Sequence, residues 1–393
     1  MTRIISIIFY SAIAFVTCMM ANKTIIRGKR YAQESVSVSQ YNNGSRAAAY
    51  DKMWLFSIFF ILFLCSALRY DIGNDYAQYT ETAHEAFVGG YVVTEFGFNW
   101  LVKIVYTLCG CEYYELVFAV FAAVTIGIFL KALYEQSENF ALSFFMFMTL
   151  GLYFQTFNTV RYYLALAITV FSMRYVVDEK KKDWIKFGFF IILAAAFHKS
   201  VLIVIPAYWI ASFSWKKWHI ISGLVISIIC FLAKGPVLKL ALALYPSYKN
   251  TIYLEAGVSK SSIARVAVVV LVYIWFMWYR RKDIRQQPYY RELTFYGQLN
   301  MLALVVGMFF SFLPVVTRIM YYFNVSQILM IPLIIEHIDN ERIRKTVKYL
   351  AIAVCIGYFV IFLLQAHKDG VGLLPYKSIL WELDRYKYVT VHR

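Results

Sequence analysis

The sequence predicts an all-α, polytopic integral membrane protein, and three observations lead to this fold class. Apolar residues occupy 61% of the 393 positions and charged residues only 16%, against about 25% charged residues in an ordinary soluble domain. Apolar runs of about 20 residues, the length that crosses a bilayer as a helix, recur along the whole chain. Short basic clusters separate successive pairs of these runs. A soluble fold of this length could not bury so much apolar surface.

The excess of positive charge indicates how the chain is oriented in a membrane and does not indicate binding to nucleic acid. The 39 Lys and Arg outnumber the 23 Asp and Glu, which gives a net charge of +16. In a membrane protein such an excess concentrates in cytoplasmic loops, so membrane lipids are expected partners and nucleic acid is not. The six cysteines show no zinc-binding spacing, and most lie inside apolar runs. They are interpreted as unpaired apolar residues, and no metal site is expected.

The first elements are an apolar run and a basic loop. The run at residues 4–21 has no clear cleavage site after it, so we interpret it as a retained helix rather than a signal peptide. Residues 22–52 are polar and carry six Lys or Arg, which predicts a basic cytoplasmic loop. The run at 53–68 then leads outward.

The remaining topology follows from the basic turns at 178–183, 216–217, 280–285 and 341–345, which are predicted to be cytoplasmic. Residues 69–109 become an extracytoplasmic loop, whose short apolar run with Lys103 is predicted to be re-entrant or interfacial. This topology predicts one integral membrane domain over residues 1–393, with about twelve spans. Thirteen spans are the main alternative.

The first polar cluster at the outer face directly follows a predicted helix end. Arg69 begins it, and Gly73 permits a tight turn. Asp75 is placed to cap the next helix, on which Tyr76 and Tyr79 share a face. The plain alternative is a capped turn with an arginine that reaches toward the lipid headgroups.

Three further clusters are predicted at the same face. Arg161 begins a helix, where a cation opposes the helix dipole unless an anion lies nearby. His198 and Lys199 form a very short outer turn or a helix break between two apolar runs, and a histidine there can act as a base or simply hydrogen-bond the turn. Arg318 again begins a helix, and Arg265 is a fifth candidate cation. One arginine guanidinium can donate two parallel hydrogen bonds to two oxygens of a phosphate. The clusters together therefore predict an anion site.

The motifs at these positions resemble those of the EpsG family, which belongs with the Wzy-type polymerases of O-antigen, capsule and exopolysaccharide. The resemblance extends over most of the chain and departs from the common Gly-Thr-Asp only in the Asn of Gly73-Asn74-Asp75. The similar segments are Arg69-x-x-x-Gly73-x-Asp75-Tyr76-x-x-Tyr79, Asn158-x-x-Arg161-x-x-x-Ala165, Phe197-His198-Lys199-Ser200 and Pro375-Tyr376.

This resemblance implies a GT-C-like membrane glycosyltransferase of the bacterial plasma (inner) membrane, with its active site on the extracytoplasmic side. Such an enzyme joins a glycan carried on undecaprenyl diphosphate to another lipid-linked repeat unit. Neither a metal nor another cofactor is expected, and a chain-length regulator protein is a candidate partner.

The resemblance also suggests roles for individual residues. His198 is the first candidate for the catalytic base, and Asp75 is the second. The residues expected to hold the substrate diphosphate are Arg69, Arg161, Arg318, Lys199 and Arg265. The residues expected to bind the glycan are Tyr76, Tyr79, Tyr322 and Tyr376.

Three other functions fit a polytopic protein with these residues. A membrane O-acyltransferase also uses an intramembrane histidine, but its donor is expected on the cytoplasmic side. A lipid-linked oligosaccharide flippase or other transporter usually shows internal repeats, and none is evident here. A ligase of the O-antigen type uses the same donor with a different acceptor, and only the family motifs favour the polymerase over it.

Overall fold

The structure is a computed structural model that describes residues 1–25, 41–177, 183–244, 257–314, 316–367 and 371–381, with the backbone alone at 41–46 and 244. All regular elements within these ranges are helices. One isolated bridge pairs Arg69 with Ser378 in antiparallel fashion. The helical fold class predicted from the sequence is therefore confirmed.

The chain divides into two compact units. The first unit comprises Met1–Phe171, Ala196–His198 and Ile335–Arg393, and the second comprises Ser172–Ala195 and Lys199–Ile334. The α-helices of the first unit are α1 (Arg3–Ala21), α2 (Tyr41–Ala67), α3 (Tyr76–Val88), α4 (Phe96–Cys109), α5 (Tyr114–Gln136), α6 (Phe140–Thr149), α7 (Leu152–Gln155) and α8 (Val160–Ser172). It also holds the helix near the C-terminus, which is numbered below.

The second unit contains a further set of helices and two short 3-10 turns. Its α-helices are α9 (Arg174–Val177), α10 (Trp184–Ala195), α11 (Val204–Ala211), α12 (Lys217–Leu232), α13 (Lys234–Leu244), α14 (Lys260–Tyr279), α15 (Tyr290–Phe309), α16 (Val316–Asn324) and most of α17 (Gln327–Glu336). Its 3-10 turns are Lys199–Ile203 and Ile284–Gln286. Helix α18 (Glu341–Gln365) then returns to the first unit.

Seven helical segments in the described ranges are long and apolar enough to cross a membrane, or eight if the pair α12 and α13, bent by 87°, counts as one span. The protein is thus a multi-pass membrane protein, but the expected count of about twelve spans is not confirmed. Several apolar runs are broken into shorter helices. The run at 140–157, for example, breaks at Gly151, whose φ of 74° is left-handed. Helix α4 has 14 residues, about 21 Å at 1.5 Å per residue, which is short of a hydrocarbon core of about 30 Å.

The N-terminal helix is packed into the first unit. Tyr10 of α1 is fully buried, and its hydroxyl donates to the Leu373 carbonyl at 3.0 Å. Helix α2 begins at Tyr41, so the later part of the expected loop at 22–52 is helical, while residues 26–40 lie outside the described ranges. Buried Asp51 accepts the backbone N–H of Ile25 and the Tyr134 hydroxyl, which links both ends of this segment to α5.

The second unit is built around α15, which packs against α14, α16 and α11. Its buried amide Asn300 donates to the Tyr296 carbonyl at 2.8 Å and to the Ser326 hydroxyl at 2.9 Å. Buried polar groups need such partners because an unpaired one costs about 1–3 kcal/mol. This network fixes α15 against the start of α17.

Candidate functional site

The loop that follows α2 is shaped by one glycine and one asparagine. Gly73 has a φ of 100°, and a Cβ there would lie 2.5 Å from the Phe157 carbonyl oxygen and 3.0 Å from the Asn158 Cα. The Asn158 side chain accepts the backbone N–H of Asp75 at 3.1 Å. The first two sequence motifs, which lie more than 80 residues apart, therefore fit directly against each other.

The segment 371–381 packs against the other side of this loop. The backbone N–H groups of Tyr70 and Gly73 donate to the carbonyls of Lys377 at 3.1 Å and of Gly372 at 2.9 Å. The Lys377 ammonium lies 2.6 Å from the Asp71 carboxylate. The C-terminal Pro-Tyr motif, part of this segment, thus belongs structurally to the first motif.

Arg69 is a buried cation whose surroundings are mainly aromatic. Its side chain is 2% exposed, and one terminal nitrogen donates to the Ser66 carbonyl at 2.6 Å and to the Ser66 hydroxyl at 3.0 Å. The guanidinium carbon lies 5.0 Å from the Phe118 ring centroid and 5.2 Å from that of Phe157. Burial lowers the pKa of Arg69 from its ordinary value, but arginine stays charged in proteins.

The charge of Arg69 has no carboxylate partner in the part of the chain that the structure describes. Its Nε and second terminal nitrogen lack hydrogen-bond acceptors there as well. The space beside Arg69, lined in part by the hydroxyl residues Ser66, Thr125 and Thr156, is too narrow to admit a water molecule. A buried cation with free donors is costly, so this position favours an anion.

Arg69 with its surrounding groups is the first of two charged clusters in this unit. The second charged cluster consists of Arg161, Glu95 and His198. The Arg161 guanidinium donates to one oxygen of the Glu95 carboxylate, and the other oxygen lies 3.5 Å from His198 Nδ1. The side chains of Glu95 and His198 are only 12% and 9% exposed. The rings of Tyr79 and Phe98 lie 5.4 and 5.6 Å from the Arg161 guanidinium carbon. Glu95 therefore bridges the residues that the second and third motifs supply.

Close backbone contact positions His198 beside the start of α4. The N–H of Gly97 donates to the Ala196 carbonyl at 2.7 Å, and a Cβ on Gly97 would meet that same oxygen at 2.7 Å. The His198 ring packs edge-on against Tyr162 at 5.4 Å. As the sequence predicts, His198 lies in a helix break, between α10 and the 3-10 turn.

Asp75 and the predicted glycan-binding tyrosines of the first unit lie near these clusters. Asp75 occupies the N-cap position of α3, but its side chain forms no capping hydrogen bond, so the expected capping role is wrong. Tyr76, Tyr79 and Tyr376 are all buried. Tyr76, for example, stacks on Phe118 at 4.8 Å. Their rings fill the interior here, and sugar binding by them stays a prediction.

Four predicted site residues belong to the second unit. Lys199 is exposed and begins a 3-10 turn, and Arg318 lies in the first turn of α16, where the sequence places it at a helix start. Arg265, on α14, donates to the Ser262 hydroxyl at 2.9 Å. Tyr322 is fully buried. Their roles in binding diphosphate or glycan stay predictions.

Comparison with known families agrees with these motifs. The EpsG family profile matches residues 52–378. The chain belongs to the EpsG family. EpsG-type proteins are Wzy-like polysaccharide polymerases. Among curated proteins and solved structures, no significant match is found. The matched range includes all the residues of the two charged clusters of this EpsG-family protein.

The sequence of this EpsG-family protein does not single out Glu95, which the structure places between Arg161 and His198. The sequence places Glu95 only within the extracytoplasmic loop predicted at 69–109, because its partner Arg161 lies 66 residues away. Its position immediately before a helix that is too short to cross a membrane was the available signal. Among the described residues, no three His, Cys, Asp or Glu side chains lie together as a metal site would need.

Proposed function

We propose that this EpsG-family protein polymerises lipid-linked oligosaccharide repeat units at the extracytoplasmic face of a bacterial plasma membrane. The donor is a glycan on undecaprenyl diphosphate, and the acceptor is a hydroxyl of a second repeat unit. The observation that carries the proposal is the convergence of Arg161 and His198 on Glu95, which joins two family motifs in one cluster. A GT-C-like fold is part of this proposal.

Arg69 is the residue proposed to compensate the leaving diphosphate, which requires the narrow space beside it to widen when the substrate binds. Its charge lacks a counter-ion in the described part of the chain, and two of its nitrogens have no acceptor. Arg161 differs, because Glu95 already balances its charge. A bound diphosphate would therefore compensate Arg69 first, and it would gain charge-assisted hydrogen bonds as negative charge develops in the transition state.

His198 is proposed as the general base. The acceptor hydroxyl attacks the anomeric carbon of the donor sugar, a new C–O bond forms there, and the C–O bond to the diphosphate breaks. The hydroxyl proton passes to the imidazole, and the bonding electrons leave with the diphosphate. Neutral imidazole is available near pH 7, which suits this role. Asp75 is the alternative base.

The assignments in the second unit complete the proposal as predictions from the sequence. Lys199, Arg265 and Arg318 are proposed to contribute positive charge to the diphosphate, and Tyr322 to contact the glycan. No metal is required if cations of the chain stabilise the leaving group. A chain-length regulator protein is the proposed protein partner.

The direct test incubates the purified protein, in vesicles, with its lipid-linked repeat unit. The expected product is a ladder of glycans that differ by one repeat unit. His198→Gln should slow ladder formation by roughly 10²–10⁴-fold, whereas the exposed His84→Gln serves as a matched control that retains the wild-type rate. Failure of the wild-type protein to form any ladder would contradict the proposal.

Deletion in cells separates the alternatives by the product that accumulates. A polymerase mutant leaves single repeat units on the outer face, whereas a flippase mutant leaves them on the inner face. An acyltransferase mutant leaves full-length glycan without acyl groups. A ligase mutant leaves polymer still attached to the lipid carrier.

A further inference from the structure

Glu95 takes part in no step of the proposed reaction, although it lies between Arg161 and His198. Its side chain is 12% exposed, and a carboxylate is rarely so buried unless it is paired. One of its oxygens accepts from Arg161 and the other faces His198 Nδ1 at 3.5 Å. Both oxygens are thus directed at residues of the family motifs.

We infer that Glu95 is a positioning residue that orients the imidazole of His198 for proton transfer, an inference that rests on the proposed function. When Nδ1–H donates to Glu95, the lone pair must reside on Nε2, so the second nitrogen is the one that accepts the proton of the sugar hydroxyl. A buried carboxylate that fixes the tautomer and orientation of a catalytic histidine is a general solution to this problem. The imidazolium formed after proton transfer is stabilised by the same carboxylate.

Glu95 itself is not a suitable base. A carboxylate paired with a guanidinium is a poor proton acceptor, because proton binding would leave the guanidinium uncompensated. The pair with Arg161 instead fixes the carboxylate in place. The distance of 3.5 Å from Nδ1 to the carboxylate oxygen is longer than a formed hydrogen bond, as is common for catalytic pairs before substrate binds.

The backbone around Glu95 supports such a fixed geometry. Glu95 directly precedes α4, and its carbonyl accepts the N–H of Phe98 at 3.1 Å. Two residues further on, Gly97 contacts the chain immediately before His198 through its bond to Ala196. A main-chain hydrogen bond two residues from Glu95 and two residues from His198 therefore helps to set the spacing between them.

The test compares Glu95→Gln and Glu95→Asp with wild type in the ladder assay. Glu95→Asp retains the counter-charge of Arg161 but shortens the side chain. It therefore provides the test if Glu95→Gln does not fold. Unfolding temperature and membrane level report on folding. The exposed Glu81→Gln is the matched control. We expect both Glu95 variants to lose at least about 10-fold in kcat, with KM changed less than about 2-fold, since general-base catalysis contributes roughly 10²–10⁴.

A variant that combines Glu95→Gln with His198→Gln shows whether Glu95 acts through His198. If Glu95 acts through His198, the double variant should be no slower than His198→Gln alone. Additive losses, or a wild-type kcat in both stable Glu95 variants, would overturn the inference while leaving the proposed function intact. An inactive wild-type protein would instead overturn the proposed function, and with it the inference that rests on it.

Discussion

Gly73 lies against Phe157 so closely that a Cβ would meet the Phe157 carbonyl oxygen at 2.5 Å. A distance below 3.0 Å forces atoms to move, and here the obstructing atom belongs to the backbone. The loop that follows α2 carries the first family motif, begins at Arg69 and is called here the first motif loop. The contact holds this loop against the turn that leads to Arg161. Shape at this glycine is therefore as important to the site as charge.

Substitution Gly73→Ala is expected to abolish polymer and to lower stability more than Gly89→Ala does. Both glycines have positive φ, 100° and 86°, but a Cβ at Gly89 meets nothing within 4 Å. The left-handed conformation alone costs an alanine about 1–2 kcal/mol, and Gly73→Ala adds the clash. Unfolding temperature and ladder formation measure the two effects. Equal losses in the two variants would show that the contact is unimportant.

Substitution Arg69→Met is expected to abolish polymer without lowering the unfolding temperature. Methionine can replace the apolar stem of the arginine, and the substitution removes a buried charge near the Phe118 and Phe157 rings that costs desolvation energy. Loss of a preorganised donor to a developing anion typically costs about 10²–10³ in kcat. The exposed Arg3→Met is the control. Wild-type chain lengths in Arg69→Met would refute the diphosphate assignment.

Substitution Tyr376→Phe tests whether Tyr376 acts through packing. Its ring contacts Phe9 and Tyr10 with centroids 4.7 and 5.7 Å apart, and its hydroxyl donates to the Cys65 carbonyl at 3.1 Å. Phenylalanine retains the ring contacts and loses one hydrogen bond, so stability should fall by about 1 kcal/mol with polymer length unchanged. Lost polymer at unchanged stability would favour the predicted contact with glycan.

The pair of His84 and Glu112 is expected to make stability depend on pH. His84 Nδ1 lies 2.8 Å from the Glu112 carboxylate, which raises the pKa of His84 above its ordinary value. A raised pKa in the folded state stabilises the protein below the unfolded value of about 6.5. That contribution disappears as pH rises through the folded-state pKa. The effect should be small because His84 is exposed.

Thermal unfolding of wild type and Glu112→Gln across this pH range measures the contribution. The difference in Tm should be present below about pH 6 and should vanish at alkaline pH. His84→Gln should remove the same pH-dependent difference. A Tm difference that grows as pH rises would contradict the sign worked out here.

Much of the local structure was predictable because short-range signals determine it. Arg161 is the second residue of α8, and His198 lies in a helix break, as the local sequence indicates. The turn at Gly73 was likewise predictable from turn chemistry. In contrast, Asp75 does not cap α3 although its residue type suggests that it should. The backbone N–H of Asp75 donates to the Asn158 side chain, a contact with a distant part of the chain that the local sequence does not indicate.

The pairing of charges was not predictable, because it depends on contacts between distant parts of the chain. The sequence treats Arg69 and Arg161 alike, as cations at helix ends. The structure gives Arg161 a carboxylate partner 66 residues away and gives Arg69 aromatic rings instead. The number of spans was also not settled by the sequence, because apolar composition is uniform across breaks such as the one at Gly151.

The contact between the first motif loop and the C-terminal segment has a consequence for biosynthesis. Asp71 and Lys377 are separated by 306 residues, so at about 5–20 residues per second the ribosome supplies the partner roughly 15–60 s after the loop. Until then the backbone donors of Tyr70 and Gly73 lack their acceptors. A chain released early would insert most of its helices and still lack the completed Arg69 loop. Synthesis of residues 371–381 thus determines when a nascent chain can complete the loop that follows Arg69.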